Sequence, residues 1–179
     1  MMQASLRVLL VVLACVSSGC GYTLAGRGSF LPPEIKIIGV PTFVNRTQVF
    51  NLETQLTQKV RAEFIGRGRY QILPDVTGVD AVLTGEVSGI SLQPLSMTTQ
   101  QLASRYAITM TASVELRETK GNTVLWENPS LIFRGEYDAP SNPTGQLDAA
   151  VFLGQDANAL ERMTNDFART IVSAILEAF

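Results

Sequence analysis

Between positions 105 and 117 the chain alternates. Tyr106, Ile108, Met110, Ala112, Val114 and Leu116 are apolar, and Arg105, Thr109, Thr111, Ser113, Glu115 and Arg117 between them are polar. A period of two with one apolar side predicts a half-buried antiparallel strand. Lys120-Gly121-Asn122 supplies a turn, and Thr123 to Trp126 with Leu131 to Tyr137 forms the return strand, with Pro129 at a bulge or an edge. Upstream, Ala81 to Leu92 reads as a longer strand in which Gly85 and Gly89 mark a bulge or bend. Pro94 to Ser104 reads as a polar, uncharged connection. Two shorter strands come earlier: Ile35, Ile37, Ile38 and Val40, closed by Pro41, and Tyr70 to Leu73, stopped by Pro74.

Two segments change period. Val49, Leu52, Leu56, Val60 and Phe64 are spaced 3, 4, 4 and 4, which lines one helix face; Thr47 is the expected N-cap, and Gly66 and Gly68 end the helix. Leu160, Met163, Phe167, Ile171, Ala174 and Ala178 line a second helix, with Ala168, Val172 and Ile175 widening its stripe. Its start is open between Asp148 and Asp156, after a breaker from Ala139 to Gly145. The order predicts an α+β domain: a mostly antiparallel four- to five-stranded sheet with two amphipathic helices packed on one face. Met110, Val114, Leu56, Val60, Phe167 and Ile171 should meet in its core.

The first residues follow a different logic. Arg7 is the only charge among the first 26 residues, and it precedes the apolar run Val8 to Val16, the small residues Ser17-Ser18-Gly19, and Cys20. A basic start, a short apolar core and a small-residue exit describe a secretory signal peptide. The run is shorter than the roughly 20 apolar residues that span a bilayer. A cysteine directly after the small residues resembles the cleavage site of bacterial lipoproteins, where that cysteine becomes acylated. The expected organisation is a signal peptide over 1–19, a lipidated tether over 20–33 and one α+β domain over 34–179. A rival cleavage box ends at Cys15, and an ordinary secreted protein with a free or paired Cys20 is the plain alternative. Gly21, rather than aspartate, after the cysteine agrees with sorting to the outer membrane.

Composition narrows the chemistry. The chain has 14 Lys+Arg against 16 Asp+Glu, no histidine, 46% hydrophobic and 7% aromatic residues. Low hydrophobicity and high net charge mark disorder, and neither is present. A nucleic-acid partner is not expected without a basic excess. Histidine metal ligands and a histidine base in a Ser or Cys triad are excluded outright. The nearest carboxylate pairs, Glu115/Glu118 and Glu136/Asp138, sit at strand ends, where solvated charge is the ordinary reading. Gly26-Arg27-Gly28 and Gly66-Arg67-Gly68 complete no nucleotide motif. Arg61, Arg67 and Arg69 form a modest basic cluster that could touch lipid phosphate or simply face solvent. Asn45-Arg46-Thr47 matches a glycosylation sequon for which a bacterial lipoprotein has little use. No catalytic, cofactor-binding or metal-binding residue is called.

Cys20-Gly21-Tyr22-Thr23-Leu24-Ala25-Gly26 resembles the opening of mature LptE lipoproteins, Cys-Gly-aromatic-x-Leu-x-Gly. Later features agree in order: Pro32-Pro33, the first amphipathic helix, the Tyr106 strand, the Phe133-to-Tyr137 strand ending in Asp138, and the closing helix around Asp166-Phe167-Ala168. The resemblance implies a noncatalytic lipoprotein, anchored by palmitate-type acyl chains at the periplasmic face of the outer membrane. It implies binding to an LptD-type β-barrel, plugging of its lumen and help with lipopolysaccharide assembly at the cell surface. Lipopolysaccharide itself is a further candidate partner. Cys20 is the expected lipidation site, and Thr98, Thr99, Gln100, Gln101 and Arg105 the expected partner surface. The Pro94–Ser104 connection carries no charge and 135–161 holds no Lys or Arg, so an anionic lipid finds few cations there. Two rival readings are another periplasmic lipoprotein adaptor of similar fold and a lipid-anchored hydrolase.

Overall fold

The computed structural model describes residues 31–97, 103–138 and 148–179. Among these residues, six strands and three helices run in the order β1 (Ile37–Gly39), β2 (Val44–Asn45), α1 (Leu52–Gly66), β3 (Gln71–Leu73), β4 (Ala81–Met97), β5 (Ala103–Glu118), β6 (Val124–Asp138), α2 (Ala149–Gln155) and α3 (Ala157–Leu176). The sheet order is β3-β1-β4-β5-β6, with β2 also on β4.

The α+β expectation holds, but the sheet is mixed and six-stranded, so the mostly antiparallel, four- to five-stranded detail holds only for the long strands. The long strands β4, β5 and β6 are antiparallel, but β1 pairs in parallel with both β3 and β4, and β2 pairs in parallel with β4. The cause is connection length: a parallel neighbour needs a crossover of a dozen or more residues, and α1 is that crossover between β1 and β3. The chain from β3 to β4 then crosses β1 on the other face. There a Cβ on Gly39 would meet the Asp75 carbonyl oxygen and lie 3.2 Å from Val79 Cγ2, so only glycine admits the crossing. The Asp80 carboxylate at its end accepts from the backbone N–H groups of Lys36 (3.0 Å) and Ile37 (2.9 Å), fixing the start of β1.

The β5 alternation holds. Tyr106, Ile108, Met110, Ala112, Val114 and Leu116 are all buried, and they join Leu56, Val60, Phe167 and Ile171 in one core. Gly85 lies on this face of β4, where the Phe43 ring occupies the space a Cβ would need, at 2.5 Å. Register shifts occur between Val87 and Gly89 and between Ala112 and Val114, the latter opposite Pro129, so both expected irregularities are bulges. The β4 strand does not stop at Leu92. It runs to Met97 through Pro94, which pairs with Tyr106. Among the described residues, pairing of β4 with β2 ends at Val87, so at Pro94 the strand has one neighbour, β5.

Among the described residues three helices replace the expected two. Asp156 separates α2 from α3, and its carboxylate caps α3 by accepting from Ala159 N (3.0 Å), as Asp148 caps α2 through Val151 N (2.8 Å). Buried Phe152 and Leu153 hold α2 to the core. Along α3 the buried face passes through Leu160, Met163, Phe167, Ile171 and Ile175, and it does not include Ala178, because the helix ends at Leu176. Helix α1 starts at Leu52 after Asn51, whose φ of 61° is left-handed; Thr47 is therefore not its N-cap. The Thr47 hydroxyl accepts instead from Val49 N at 3.2 Å. α1 and α3 lie side by side, tied by Lys59–Glu161 (2.9 Å) and by Arg67 Nη2 donating to Ser173 Oγ (3.0 Å). No helix among the described residues is long and apolar enough to cross a membrane.

Candidate partner surface

Strand pleating that buries one face of β4–β6 leaves the other polar. Across it run Thr84 beside Glu115, Glu86 beside Ser113, Ser91 beside Thr109, and Gln93 beside Ala107. Next to these come Thr109 beside Arg134, Thr111 beside Ile132, and Ala107 beside Glu136. The middle is rich in hydroxyls, with Arg134 beside Thr109 as its charged member, and ion pairs form at the two ends. At the upper end Arg105 lies 3.6 Å from Glu136 and 3.5 Å from Asp138. At the lower end Arg117 grips Glu115 with two hydrogen bonds, of 2.7 and 2.9 Å. These bonds hold the Arg117 pKa above its ordinary value. A shallow groove of about 380 Å³ opens there, lined by Val44, Thr84, Glu86, Ser113, Glu127 and Pro129 among others. Arg46 reaches Glu86 at 3.3 Å.

Of the expected partner residues, Arg105 is placed on this face, exposed and already paired with two carboxylates. Thr98, Thr99, Gln100 and Gln101 lie outside the described residues, as does Cys20. Both carboxylate pairs singled out in the sequence include groups drawn to an arginine: Glu115 to Arg117, Glu136 and Asp138 to Arg105. Among the described residues no cluster of acidic or sulfur ligands could hold a metal ion. The basic cluster is largely committed to the fold. Arg61 donates from Nε (2.9 Å) and Nη2 (2.7 Å) to the Val40 carbonyl, and Arg67 pairs with Glu63 at 2.9 Å. Arg69 is engaged as well.

One residue carries more than its sequence context suggested. The Asn45 amide donates to Val49 O (2.8 Å) and Glu53 Oε2 (2.9 Å), while its oxygen accepts from Thr47 N (2.9 Å) and the Thr47 hydroxyl (2.7 Å). The sequon pattern is an Asx turn that knots the loop before α1. That loop displays Phe50, 91% exposed. The signal available was the Asn-x-Thr spacing read as turn chemistry.

A two-layer α+β domain with one polar sheet face and solvent-facing ion pairs is a binding scaffold in form. The chain belongs to the LptE family, described as lipopolysaccharide-assembly, whose profile matches residues 35–175. This is a noncatalytic family of cell-envelope lipoproteins. Among solved structures, the chain is similar to a hypothetical protein from Chlamydia trachomatis (11% identity, 79% of this chain and 96% of that one, TM-score 0.50). It is also similar to rare lipoprotein B from Shewanella oneidensis (14%, 80% and 96%, TM-score 0.48). A lipoprotein from Neisseria meningitidis is a third (14%, 77% and 99%, TM-score 0.42). At these identities the likeness concerns the fold alone. No curated protein matches the chain by sequence.

Proposed function

We propose that this chain is an outer-membrane lipoprotein, cleaved after a 1–19 signal peptide and acylated at Cys20. A tether over 20–33 would carry the domain from residue 34 onward at the periplasmic face. The domain binds and plugs an LptD-type β-barrel and assists lipopolysaccharide assembly, without catalysing a reaction. The family match carries this reading. The polar face of β4–β6 supports it, because a wall of hydroxyl and amide groups can exchange hydrogen bonds with a polar lumen. The β4–β5 connection over 98–101, with Arg105 beside it, is the proposed contact with that wall. Arg105 is occupied by Glu136 and Asp138, which favours a protein partner over a lipid phosphate at this position.

The test is purification of the full, lipidated chain from outer membranes through a C-terminal tag. Recovery of a large β-barrel in stoichiometric amount is the expected result. Photo-crosslinkers at Thr99 and Gln101 should give adducts to it. Purification without any barrel would sink the barrel role and leave a different envelope adaptor.

A further inference from the structure

Phe50 is held out of the core by the fold itself. Its exposure of 91% stands well ahead of Ile132 at 63% and Ile65 at 59%, the next most exposed large apolar side chains among the described residues. A single exposed apolar side chain needs no explanation by itself. The way this one is held does. Val49 before it and Leu52 two residues after it are buried. The Asn45 amide donates to Val49 O and to Glu53, and the Thr47 hydroxyl accepts from Val49 N. Asn51, next in the chain, sits at φ 61°, a conformation disfavoured for a residue with a Cβ. Asparagine is among the best helix N-caps, yet the Asn51 side chain makes no cap hydrogen bond to α1. Local preference therefore yields beside Phe50, as it does where a segment is held in shape for binding.

The surroundings indicate what covers the ring. A hollow of about 420 Å³ beside Phe50 is lined by Asn45, Thr47, Gln48, Val49, Asn51 and Glu53. Amides and a hydroxyl dominate this lining; it holds one carboxylate and, among the described residues, no cation. The neighbouring Arg46 is turned to Glu86 at 3.3 Å. Aromatic side chains that enter an anionic leaflet are accompanied by Lys or Arg, and a carboxylate in their place is repelled. The Gln48 and Asn51 side chains make no hydrogen bond among the described residues, so their amides are open to a partner. An exposed aromatic ring among open amides has the form of an apolar anchor with a hydrogen-bonding rim, as at the centre of protein interfaces.

We propose that Phe50 is an anchor for the barrel: its ring enters an apolar socket in the barrel wall, and the Gln48 and Asn51 amides bond the rim of that socket. This rests on the barrel reading above and adds to it a second contact, separate from the β4–β5 connection. The loop carrying Phe50 follows β2, whose last residue pairs with Val87, ten residues before β4 ends at Met97. The Asn45 network fixes the loop in advance, which limits the ordering that binding requires.

Two variants of the full lipidated chain test this, each co-expressed with a differently tagged parent that competes for the barrel. Phe50→Ser should keep the parent's melting temperature, because the ring it removes is exposed. Its share of the barrel should fall about tenfold or more, the loss expected of an interface anchor. Phe50→Trp should keep most of its share and reports where the ring goes. After subtraction of the parent's Trp126 signal, its fluorescence should be that of an exposed indole on vesicles of phosphatidylethanolamine and phosphatidylglycerol. In the barrel complex it should shift to shorter wavelength. Equal shares for Phe50→Ser and the parent overturn the proposal and leave the barrel reading in place, whereas a parent that recovers no barrel overturns both. Short-wavelength emission on vesicles alone assigns the ring to lipid if brominated lipid quenches it, and to this chain's own residues if not; either result overturns the proposal. So does a lower melting temperature for Phe50→Ser, which would make the ring part of the fold.

Discussion

At the scale of single residues, backbone groups at awkward places are satisfied by side chains far away in sequence. Val40 O is closed by Arg61, Phe43 N by the Thr57 hydroxyl at 2.9 Å, and the two N–H groups at the start of β1 by Asp80. Each partner replaces water that the crossing chains exclude. Asp80 gives a pH signature. Its hydrogen bonds to Ile37 N and Lys36 N favour the carboxylate and hold its pKa below the ordinary 3.8. A group with a depressed folded pKa contributes stability above its unfolded value and loses it as the pH falls through the folded one. Wild-type stability should therefore decline below about pH 4, where Asp80 takes up its proton. Asp80→Asn should lower the melting temperature at pH 7 and show a shallower decline in acid. Parallel melting curves for the two proteins across that range would remove Asp80 as the cause.

At the scale of elements, burial decides which patterns persist. Phe167 is fully buried in α3, its ring centroid 5.6 Å from that of Phe133 on β6. Truncating a buried phenylalanine costs about 3–5 kcal/mol, through lost transfer energy and the cavity left behind. Phe167→Ala should lose stability of that order in denaturant unfolding, and a loss below about 1 kcal/mol would mean that α3 does not pack on β6 as described. The same logic explains what was legible in the sequence. β5 could be read because one face is buried along its whole length, so all its apolar positions obey one period. α1 could be read because Leu52, Leu56, Val60 and Phe64 all point into one core. β1 and β3 could be read as short strands, but their parallel pairing could not, because three residues carry no sign of strand direction and the pairing is set by the intervening helix; β2, two residues long, shows no period at all. Nor could the end of β4 beyond Leu92 be read, where Gln93, Pro94 and Ser96 read as a loop. Within the site, Arg105 was legible as a polar neighbour of the hairpin. Its carboxylate partners on β6 lie more than thirty residues away and depend on the register.

At the scale of the whole molecule, the proposed role depends on attachment as much as on shape. The core lies between the sheet and its helices, and the opposite face of β4–β6 is a surface a protein wall can cover. Among the described residues no helix is long and apolar enough to cross a membrane. On the proposed reading, retention falls to the acylated Cys20. One acyl chain holds a protein only marginally and reversibly, whereas two or more hold it stably. A diacylglyceryl thioether together with an N-linked acyl chain meets that requirement. Cys20→Ala should leave an uncleaved or mislocalised precursor, absent from the outer-membrane fraction. The fold from Leu31 onward should melt as the parent does, because Cys20 precedes every residue of the described core. Intact mass separates the outcomes. The parent should carry the added lipid mass on a chain beginning at Cys20. A parent chain of unmodified mass, or one beginning at Cys15, would move the anchor elsewhere.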